Sequence, residues 1–369
     1  MIVVSARQAL ALSATILFSA AAGSAHAQTP SSFPKAERGY SISVFAKGVK
    51  GKYTSPDSLA VSNDRIYVGY GDGNDPAGLD GKANKIVEYT KTGRYVFSYN
   101  VIGHNDGLKV DPSTHKVWAL QNEDGNPNLV IINPKTREQS VYTFAAPPPN
   151  GGGYDDIVFR NGEVYLSASN PAKNPNVKPA IVKARLVGNS VVVSTLLEGN
   201  AQATDVVTGA KVRLNLQDPD SMTLDPGGNV VMTSQSDSEL VVVRKPSTKR
   251  QSVLQIPLSS PYGAPQVDDT LFTPSSDGFV LVSDTAADTI YAIRRATFAP
   301  GVAYSAAVAG SGGSAQRFVG RLDVEFGQLT PVVTGLNSPH GLAFVRTADD
   351  DDSTYEQLRD TCQRLFPND

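Results

Sequence analysis

The sequence predicts an all-β fold, a six-bladed β-propeller built from four-stranded blades. Three observations predict it. The 369-residue chain contains 32 Gly and 24 Pro, which separate many short runs rich in Val, Ile, Tyr and Thr. A short pattern, in which an acidic residue precedes an apolar strand, recurs along the chain with a histidine in its last copy. Three of the five spacings between copies are equal, as is typical of a repeat protein.

The repeated pattern consists of a small or polar residue, the acidic residue, a small residue and then an apolar run. It is clearest in residues 55–61 (SPDSLAV) and 338–344 (SPHGLAF). The aligned positions are Asp57, Asp106, Asp155, Asp220, Asp269 and His340. Subtracting successive positions gives spacings of 49, 49, 65, 49 and 71 residues.

Each repeat contains further strand signals after the first strand. A turn and a second strand follow, for example residues 65–69 in the first repeat and 279–283 in the fifth. A third strand, a reverse turn and a fourth strand complete a cassette of about 45–50 residues, which is the length of a propeller blade. A β-sandwich also has short strands, but it does not repeat such a cassette with one acidic residue at a fixed place. Five or seven blades remain compatible with the pattern.

The ends of the repeat region indicate how the fold closes. Residues 41–46 look like a fourth strand that precedes the first complete repeat. Pairing this strand with the C-terminal blade would remove an exposed sheet edge. The segment between Asp269 and His340 holds spare strands, and residues 199–217 form an insertion with a hairpin signal at Thr208-Gly209. We interpret this insertion as a surface feature or a lid over the channel mouth.

The chain divides into three predicted segments. Residues 1–27 have the apolar run and the Ala25-His26-Ala27 pattern of a cleavable signal peptide, so we expect a periplasmic or secreted protein. Residues 28–346 form the propeller. Residues 347–369 comprise an acidic linker, which contains Asp349–Asp352, and a short amphipathic helix over residues 355–366. Cys362 is the only cysteine, so no disulfide can form within the chain.

Composition excludes some classes of partner. The net charge of −3 gives no broad basic face, so we expect no nucleic-acid partner. No segment after the signal peptide is long and apolar enough to span a membrane.

The repeated position predicts a polar site. The first strand of each propeller blade lines the central channel, so the six aligned side chains should form a ring around one mouth. Carboxylates at such close quarters repel one another, and a bound cation relieves this repulsion. Oxygen ligands favour Ca²⁺ over Zn²⁺, and Mg²⁺ is a weaker candidate. We therefore predict a divalent-cation site, tentatively for calcium, at Asp57, Asp106, Asp155, Asp220, Asp269 and His340. Two alternatives stay open: the Asp residues cap backbone N–H groups, or they line a solvated anionic channel.

The strand-start motifs SPDSLAV and SPHGLAF resemble those of the SMP-30/gluconolactonase and NHL-repeat superfamily of six-bladed propellers. The resemblance covers residues 40 to 346 and implies a six-bladed propeller fold. It also implies a divalent cation in the channel, often Ca²⁺, which polarises the carbonyl group of a lactone. The early metal-binding Glu and the channel Asn residues of that family have no clear counterpart here. The sequence 339–341 (PHG) is also similar to that of streptogramin lyases.

Two functional hypotheses follow. The first is an exported propeller that binds a small-molecule or protein ligand at its channel face, with a divalent cation in the Asp ring. The second is a metal-dependent hydrolase of lactones or esters, with Asp220, Asp269 and His340 as candidate catalytic residues. Because no nucleophile or proton shuttle is evident in the sequence, we favour the first.

Overall fold

The computed structural model describes residues 33–62 and 64–347. The predicted signal peptide, the acidic run, the C-terminal helix and Cys362 lie outside these residues. Almost all regular structure is β. Two short 3₁₀ turns, Thr285–Ala287 and Gly312–Ser314, are the helical segments of the described residues. None of the helices found there is long and apolar enough to cross a membrane.

The strands form five hydrogen-bonded sheets, which we divide into repeat units numbered by the chain position of their innermost strand. Before them come β1 (Lys35–Ala36) and β2 (Tyr40–Lys47). Unit 1 consists of β3 (Pro56–Ser62), β4 (Arg65–Tyr70), β5 (Ala83–Thr90) and β6 (Tyr95–Ile102). Unit 2 consists of β7 (Asn105–Val110), β8 (Val117–Gln121), β9 (Asn128–Ile132) and β10 (Gln139–Phe144). Unit 3 consists of β11 (Ile157–Arg160), β12 (Glu163–Ser167), β13 (Pro179–Val187) and β14 (Ser190–Glu198).

The remaining strands build the other units. The insertion hairpin comprises β15 (Gln202–Asp205) and β16 (Lys211–Arg213). Unit 4 consists of β17 (Pro219–Leu224), β18 (Val230–Ser234), β19 (Glu239–Arg244) and β20 (Ser252–Pro257). The last strands in the chain are β21 (Pro265–Phe272), β22 (Gly278–Asp284), β23 (Thr289–Arg295), β24 (Ala303–Ala309), β25 (Gln316–Asp323), β26 (Gln328–Thr334) and β27 (Pro339–Arg346). Within units 1 to 4, consecutive strands pair antiparallel. A short parallel pairing of β10 with β14 joins units 2 and 3 into one eight-stranded sheet.

Units 5 and 6 exchange strands, which corrects one expectation. The segment at 279–283, predicted as the second strand of the fifth repeat, lies in β22 and pairs with β27 instead of β21. Unit 5 has the order β21-β24-β25-β26, with β1 added at its outer edge. Unit 6 has the order β27-β22-β23-β2. The 71-residue spacing before His340 thus contains two strands of unit 6 and three of unit 5.

The N-terminal strand closes the fold as predicted. Residues 41–46 lie in β2, which pairs antiparallel with β23 in the same sheet as the C-terminal strand β27. The insertion hairpin at Thr208-Gly209 also forms, and β15 pairs parallel with the outer strand β20 of unit 4. The hairpin is therefore an edge extension of unit 4.

The hydrophobic core lies between neighbouring units. The described residues form one core cluster between each pair of consecutive units, and a further cluster lies between unit 6 and unit 1. Both faces of a sheet are consequently buried, which is why strands such as β19 are apolar at successive positions and do not alternate. Each buried Val, Leu or Ile contributes roughly 1.5–3 kcal/mol relative to an exposed one.

The innermost strands surround a common axis. The strands β3, β7, β11, β17, β21 and β27 each contact the next in this order, and β27 contacts β3. All six also line one cavity of about 340 Å³. The fold is a β-propeller with the inner strands around a central channel.

Candidate functional site

A β-bulge at the start of the inner strands positions the candidate site. In unit 1, Pro56 pairs with Tyr70 and Leu59 pairs with Val68, so two residues, Asp57 and Ser58, face a single residue of β4. Units 2, 4, 5 and 6 show the same register shift at the same place. Bulges commonly redirect a side chain near a functional site. Here the first bulge residue is the one that the sequence pattern repeats.

The first bulge residues meet at an acidic cavity of about 320 Å³ at one mouth of the channel. We call it the acid cavity. It is lined by Asp106, Asp155, Asp218, Asp220, Gln235, Gln266, Asp268, Val308, Pro339 and His340. Asp57 lies beside it, with its Oδ1 3.2 Å from His340 Nδ1. Five of the six predicted ring positions are thus brought together.

The sixth position differs by one residue in unit 5. The register shift there lies between Val267 and Thr270, so Asp268 is the first bulge residue and lines the acid cavity. Asp269 is the second bulge residue. Its carboxylate accepts hydrogen bonds from the backbone N–H groups of Thr270 and Leu342, both at 2.7 Å. The sequence alignment of this repeat on Asp269 was shifted because two acidic residues are adjacent.

Two acidic residues near the start of inner strands, Asp156 and Asp269, join neighbouring units. Asp156 in unit 3 accepts from the backbone N–H of Met222 in unit 4 at 2.8 Å and from Lys109 Nζ in unit 2 at 2.7 Å. Asp269 does the same between units 5 and 6 through Leu342. Burial alone would lower the pKa of Lys109, but the negative charges of Asp156 and Asp269 outweigh this effect and raise the pKa. Backbone capping, one of the alternatives predicted for the Asp ring, describes Asp269. Asp156 lies beside the predicted ring and bonds backbone in the same way.

His340 forms an ion pair in the acid cavity. Its Nδ1 lies 3.2 Å from Asp57 Oδ1 and 3.5 Å from Asp268 Oδ1, and its Nε2 lies 3.1 Å from Ser338 Oγ. Burial opposes the charged form, but the two carboxylates outweigh it and raise the pKa of His340 to about 10. The chain Ser338–His340–Asp57 has the connectivity of a catalytic triad. However, a histidine that stays protonated near neutral pH donates to both neighbours and cannot activate the serine.

Three carboxylates of the acid cavity form no ion pair among the described residues. Burial, together with the surrounding acidic groups, holds the pKa of Asp106, Asp155 and Asp220 well above the ordinary range. The Oδ1 atom of Asp155 is buried and has no hydrogen-bond partner. Either protonation or a bound cation would therefore stabilise these carboxylates.

A second set of ligand atoms lies close together beside them. One ligand atom from each of Asp57, Asp268 and His340 falls within 4.8 Å of the others, so this group could hold a metal ion. Burial raises the pKa of Asp268 to about 6, against the opposing charge of His340. Metal ligation by His340 Nδ1 would require loss of its proton.

Two of the residues that lie two positions before the ring were not selected from the sequence. Asp218 and Gln266 line the acid cavity, and they precede Asp220 and Asp268 by two residues. His104 holds the corresponding place in unit 2, where its Nδ1 lies 3.0 Å from Glu123 Oε2. Because side chains two apart on a strand share a face, this period was the available signal. Polar residues after the second strands, in contrast, mostly bind backbone: Asp237 and Asp284 accept from the N–H groups of Gln217 and Asn337.

We expect the metal-free protein to lose stability as pH rises from about 4 to 10. Asp268 titrates near 3.8 when unfolded and near 6 when folded, so its repulsive ionised form appears in the folded state over this interval. The ion-pair contribution of His340 is complete below 6.5 and is lost as pH rises through about 10. Both effects have the same sign. Melting temperatures in chelator at constant ionic strength should fall between pH 5 and 9, and His340→Gln should reduce the slope. A rising profile would contradict the assigned charges.

Comparisons with known proteins find similar solved structures. No family model and no curated protein matches this chain. Similar solved structures include a protein of unknown function from Bacteroides caccae, at 12% identity over 79% of this chain and 86% of that one, with a TM-score of 0.46. Another is a streptogramin B lyase, at 14% identity over 83% and 95% of the two chains, with a TM-score of 0.44. A third is a candidate gluconolactonase, at 10% identity over 84% and 90%, with a TM-score of 0.45. The motifs of the sequence resemble these last two kinds of protein.

Proposed function

We propose that this chain is an exported six-bladed propeller that binds a divalent cation, calcium by preference, in the acid cavity. The cation would in turn bind an oxygen-bearing small molecule or a partner protein on that face. The proposal of export is based on the signal-peptide pattern of residues 1–27. The proposed propeller domain comprises residues 28–346. The count of six blades is supported by six inner strands that line one cavity and by six interfaces with their own core clusters.

The observation that carries the proposal is that Asp106, Asp155 and Asp220 line one cavity and that none of them is in an ion pair of the described residues. Buried ionised carboxylates without a partner cost several kcal/mol each, unless they bind protons. The partnerless Oδ1 of Asp155 supports a missing ligand rather than a closed network of hydrogen bonds. A cation bound in the acid cavity would reduce the repulsion among these three carboxylates.

The donor atoms favour calcium over zinc. The carboxylates of Asp106, Asp155, Asp218 and Asp220 and the amide of Gln235 provide oxygen ligands from several strands. Ca²⁺ accepts six to eight such oxygens with variable geometry, whereas Zn²⁺ prefers His and Cys in a tetrahedron. His340, the histidine beside these carboxylates, is already paired with Asp57 and Asp268.

Calcium is expected to raise the melting temperature of protein that has been stripped with chelator. At free calcium 100 times the Kd, binding adds about 2.7 kcal/mol to the free energy of unfolding. Asp155→Asn and Asp220→Asn should each abolish the response while raising the stability of the metal-free form, because they remove repulsion. Glu37→Gln, which removes one exposed acidic charge elsewhere, is the matched control and should respond like the parent. Identical melting curves in calcium and in chelator, with no heat of binding by calorimetry, would refute a cation site.

The hydrolase hypothesis requires more than the cation. It needs a base, and the pKa of about 10 makes His340 a poor one at neutral pH. A screen of lactones and aryl esters in calcium and in chelator separates the two hypotheses. Turnover that depends on calcium and disappears in Asp220→Asn would favour the hydrolase over the binding protein.

A further inference from the structure

A group of buried amide side chains lies between units 1 and 2. We call Asn84, Asn105 and Gln121 the amide cluster. Their exposed fractions are 1%, 0% and 0%. Five of their six side-chain polar atoms have no hydrogen-bond partner among the described residues: both of Asn84, both of Gln121 and the Oδ1 of Asn105. Buried polar atoms are nearly always hydrogen-bonded in native proteins, so these five atoms need a partner.

The strand pattern places all three side chains in one interface. Asn84 precedes Ile86 by two residues on β5, and Gln121 follows Ala119 by two residues on β8, so each shares the face of its neighbour. Ile86 and Ala119 belong to the core cluster between units 1 and 2. Asn105 is the direct partner of Gln121 in the pairing of β7 with β8. The amide cluster therefore continues this core at the end where β7 begins.

Two contacts fix the orientation of Asn105. Its Nδ2 donates to the carbonyl oxygen of Leu120 at 2.8 Å. Its Oδ1 lies against Gly69 of β4, where an added Cβ would overlap that oxygen. Unit 1 thus leaves space for this amide by having a glycine at the point of contact. The unpaired oxygen consequently faces unit 1, which carries Asn84 on the adjacent strand β5.

The amide cluster is a departure from the sequence repeat. The residue before the acidic one is proline in units 1, 4 and 6, at Pro56, Pro219 and Pro339. A proline side chain has no polar atom, so it can be buried at this place without a partner. Unit 2 has Asn105 instead, beside the second amide of Gln121. Burying these amides without a ligand is unfavourable, and the other units show that the fold does not require them.

The balance of donors and acceptors identifies the ligand. The unpaired atoms are three amide oxygens and two amide nitrogens. A cation would bind the oxygens and leave the N–H groups unpaired, and an anion would do the reverse. Water both donates and accepts. Rotating an amide by 180° exchanges its oxygen and nitrogen but leaves this balance unchanged.

We propose that about two ordered water molecules bind in the amide cluster, since a buried water makes about three hydrogen bonds. They bridge Asn84 of unit 1 to Asn105 and Gln121 of unit 2. Units 2 and 3 are joined by the backbone pairing of β10 with β14, whereas unit 1 is a separate sheet. The waters add hydrogen bonds across an interface that strand pairing does not join. Cation binding is a separate matter, because none of the three amides lines the acid cavity.

Oxygen-17 relaxation dispersion tests the proposal, because it counts the water molecules that tumble with a protein. The double variant Asn84→Leu/Gln121→Met removes four of the five unpaired atoms with little change in side-chain length. We expect it to hold about two fewer long-lived waters than the parent in the presence of chelator. An equal number in the two proteins would overturn the proposal.

Asn176→Leu is the matched control. Asn176 is 1% exposed, and its amide is already paired directly with the backbone of Leu216 and Lys178, at 2.8 and 3.0 Å. This variant should lose stability and keep the number of long-lived waters of the parent. A loss of waters equal to that of the double variant would mean that the count reports general loosening, and it would reject the assignment to the amide cluster.

A crystal structure of the parent provides a second test, which holds even if the double variant does not fold. We expect density for water within about 3 Å of the polar atoms of Asn84, Asn105 and Gln121. Direct hydrogen bonds among the three amides, with no density between them, would refute bridging water. Density surrounded by oxygen atoms at about 2.3–2.6 Å would identify a cation and reject the proposal as stated.

Discussion

Asp156→Ala is expected to lower the free energy of unfolding by about 3–5 kcal/mol, the cost of breaking a buried ion pair on one side. The Asp156 carboxylate accepts from the N–H groups of Ile157 and Met222 and from Lys109 Nζ, all within 2.8 Å. Its side chain is 4% exposed and that of Lys109 is 27% exposed. Removing the carboxylate leaves two buried N–H groups and an ammonium without this partner, at the junction of units 2, 3 and 4.

Asp106→Ala is the matched comparison, because it removes the same charge from the same part of the channel. Burial and the acidic neighbours of Asp106 both raise its pKa, so removing this carboxyl relieves a desolvation cost and a repulsion. We expect unchanged or increased stability in chelator. Urea unfolding of both variants at pH 7 measures the contrast. If Asp106→Ala costs as much as Asp156→Ala, the division into cavity carboxylates and connecting carboxylates is wrong.

Gly107→Ala is expected to destabilise the propeller by at least about 3 kcal/mol, at the upper end of the cost of overpacking. Gly107 is the second bulge residue of unit 2, where the inner strand of unit 3 passes at close range. An added Cβ would overlap the carbonyl oxygen of Asp155 and lie 2.9 Å from Cα of Asp156. Both are backbone atoms of a neighbouring unit, so relief requires the two inner strands to separate.

Gly313→Ala is the control for this substitution. Nothing lies within 4 Å of a Cβ added at Gly313, and its backbone is not in the left-handed region. We expect a change below about 0.5 kcal/mol, as for ordinary surface substitutions. Thermal unfolding of both variants measures the difference. Similar melting temperatures would mean that the inner strands do not approach as closely as the bulge geometry requires.

Much of the architecture could be predicted from the sequence, because the repeat carries local information. Strand runs, Gly- and Pro-containing turns and one acidic residue per cassette depend on short stretches of chain, and they gave the propeller and its closure by residues 41–46. The exchange between units 5 and 6 could not be predicted in this way. Strands β21, β22 and β24 all carry the same apolar signal, so the choice of partner depends on tertiary packing alone.

The candidate site was predictable to within one residue at each position. The alignment placed Asp57, Asp106, Asp220 and His340 on the first bulge residue and Asp155 just before β11, and it missed Asp268 because Asp269 is also acidic. The hydrogen-bond and ion-pair partners of these side chains could not be predicted. They depend on the direction in which the bulge points each carboxylate. One result is that Asp269 bonds backbone while Asp268 meets His340. Cation binding itself stays a prediction.

The exchange of strands has a consequence for the order of folding. Units 1 to 4 are each continuous in sequence, so each can be completed as soon as its own residues are available. Unit 6 instead needs β2, β22, β23 and β27, which span positions 40 to 346, and unit 5 encloses two of these strands within its own sequence. Neither sheet can therefore be finished, or lost, without disturbing the other. We expect the final third of the chain to fold in one late step that coincides with closure of the ring of strands.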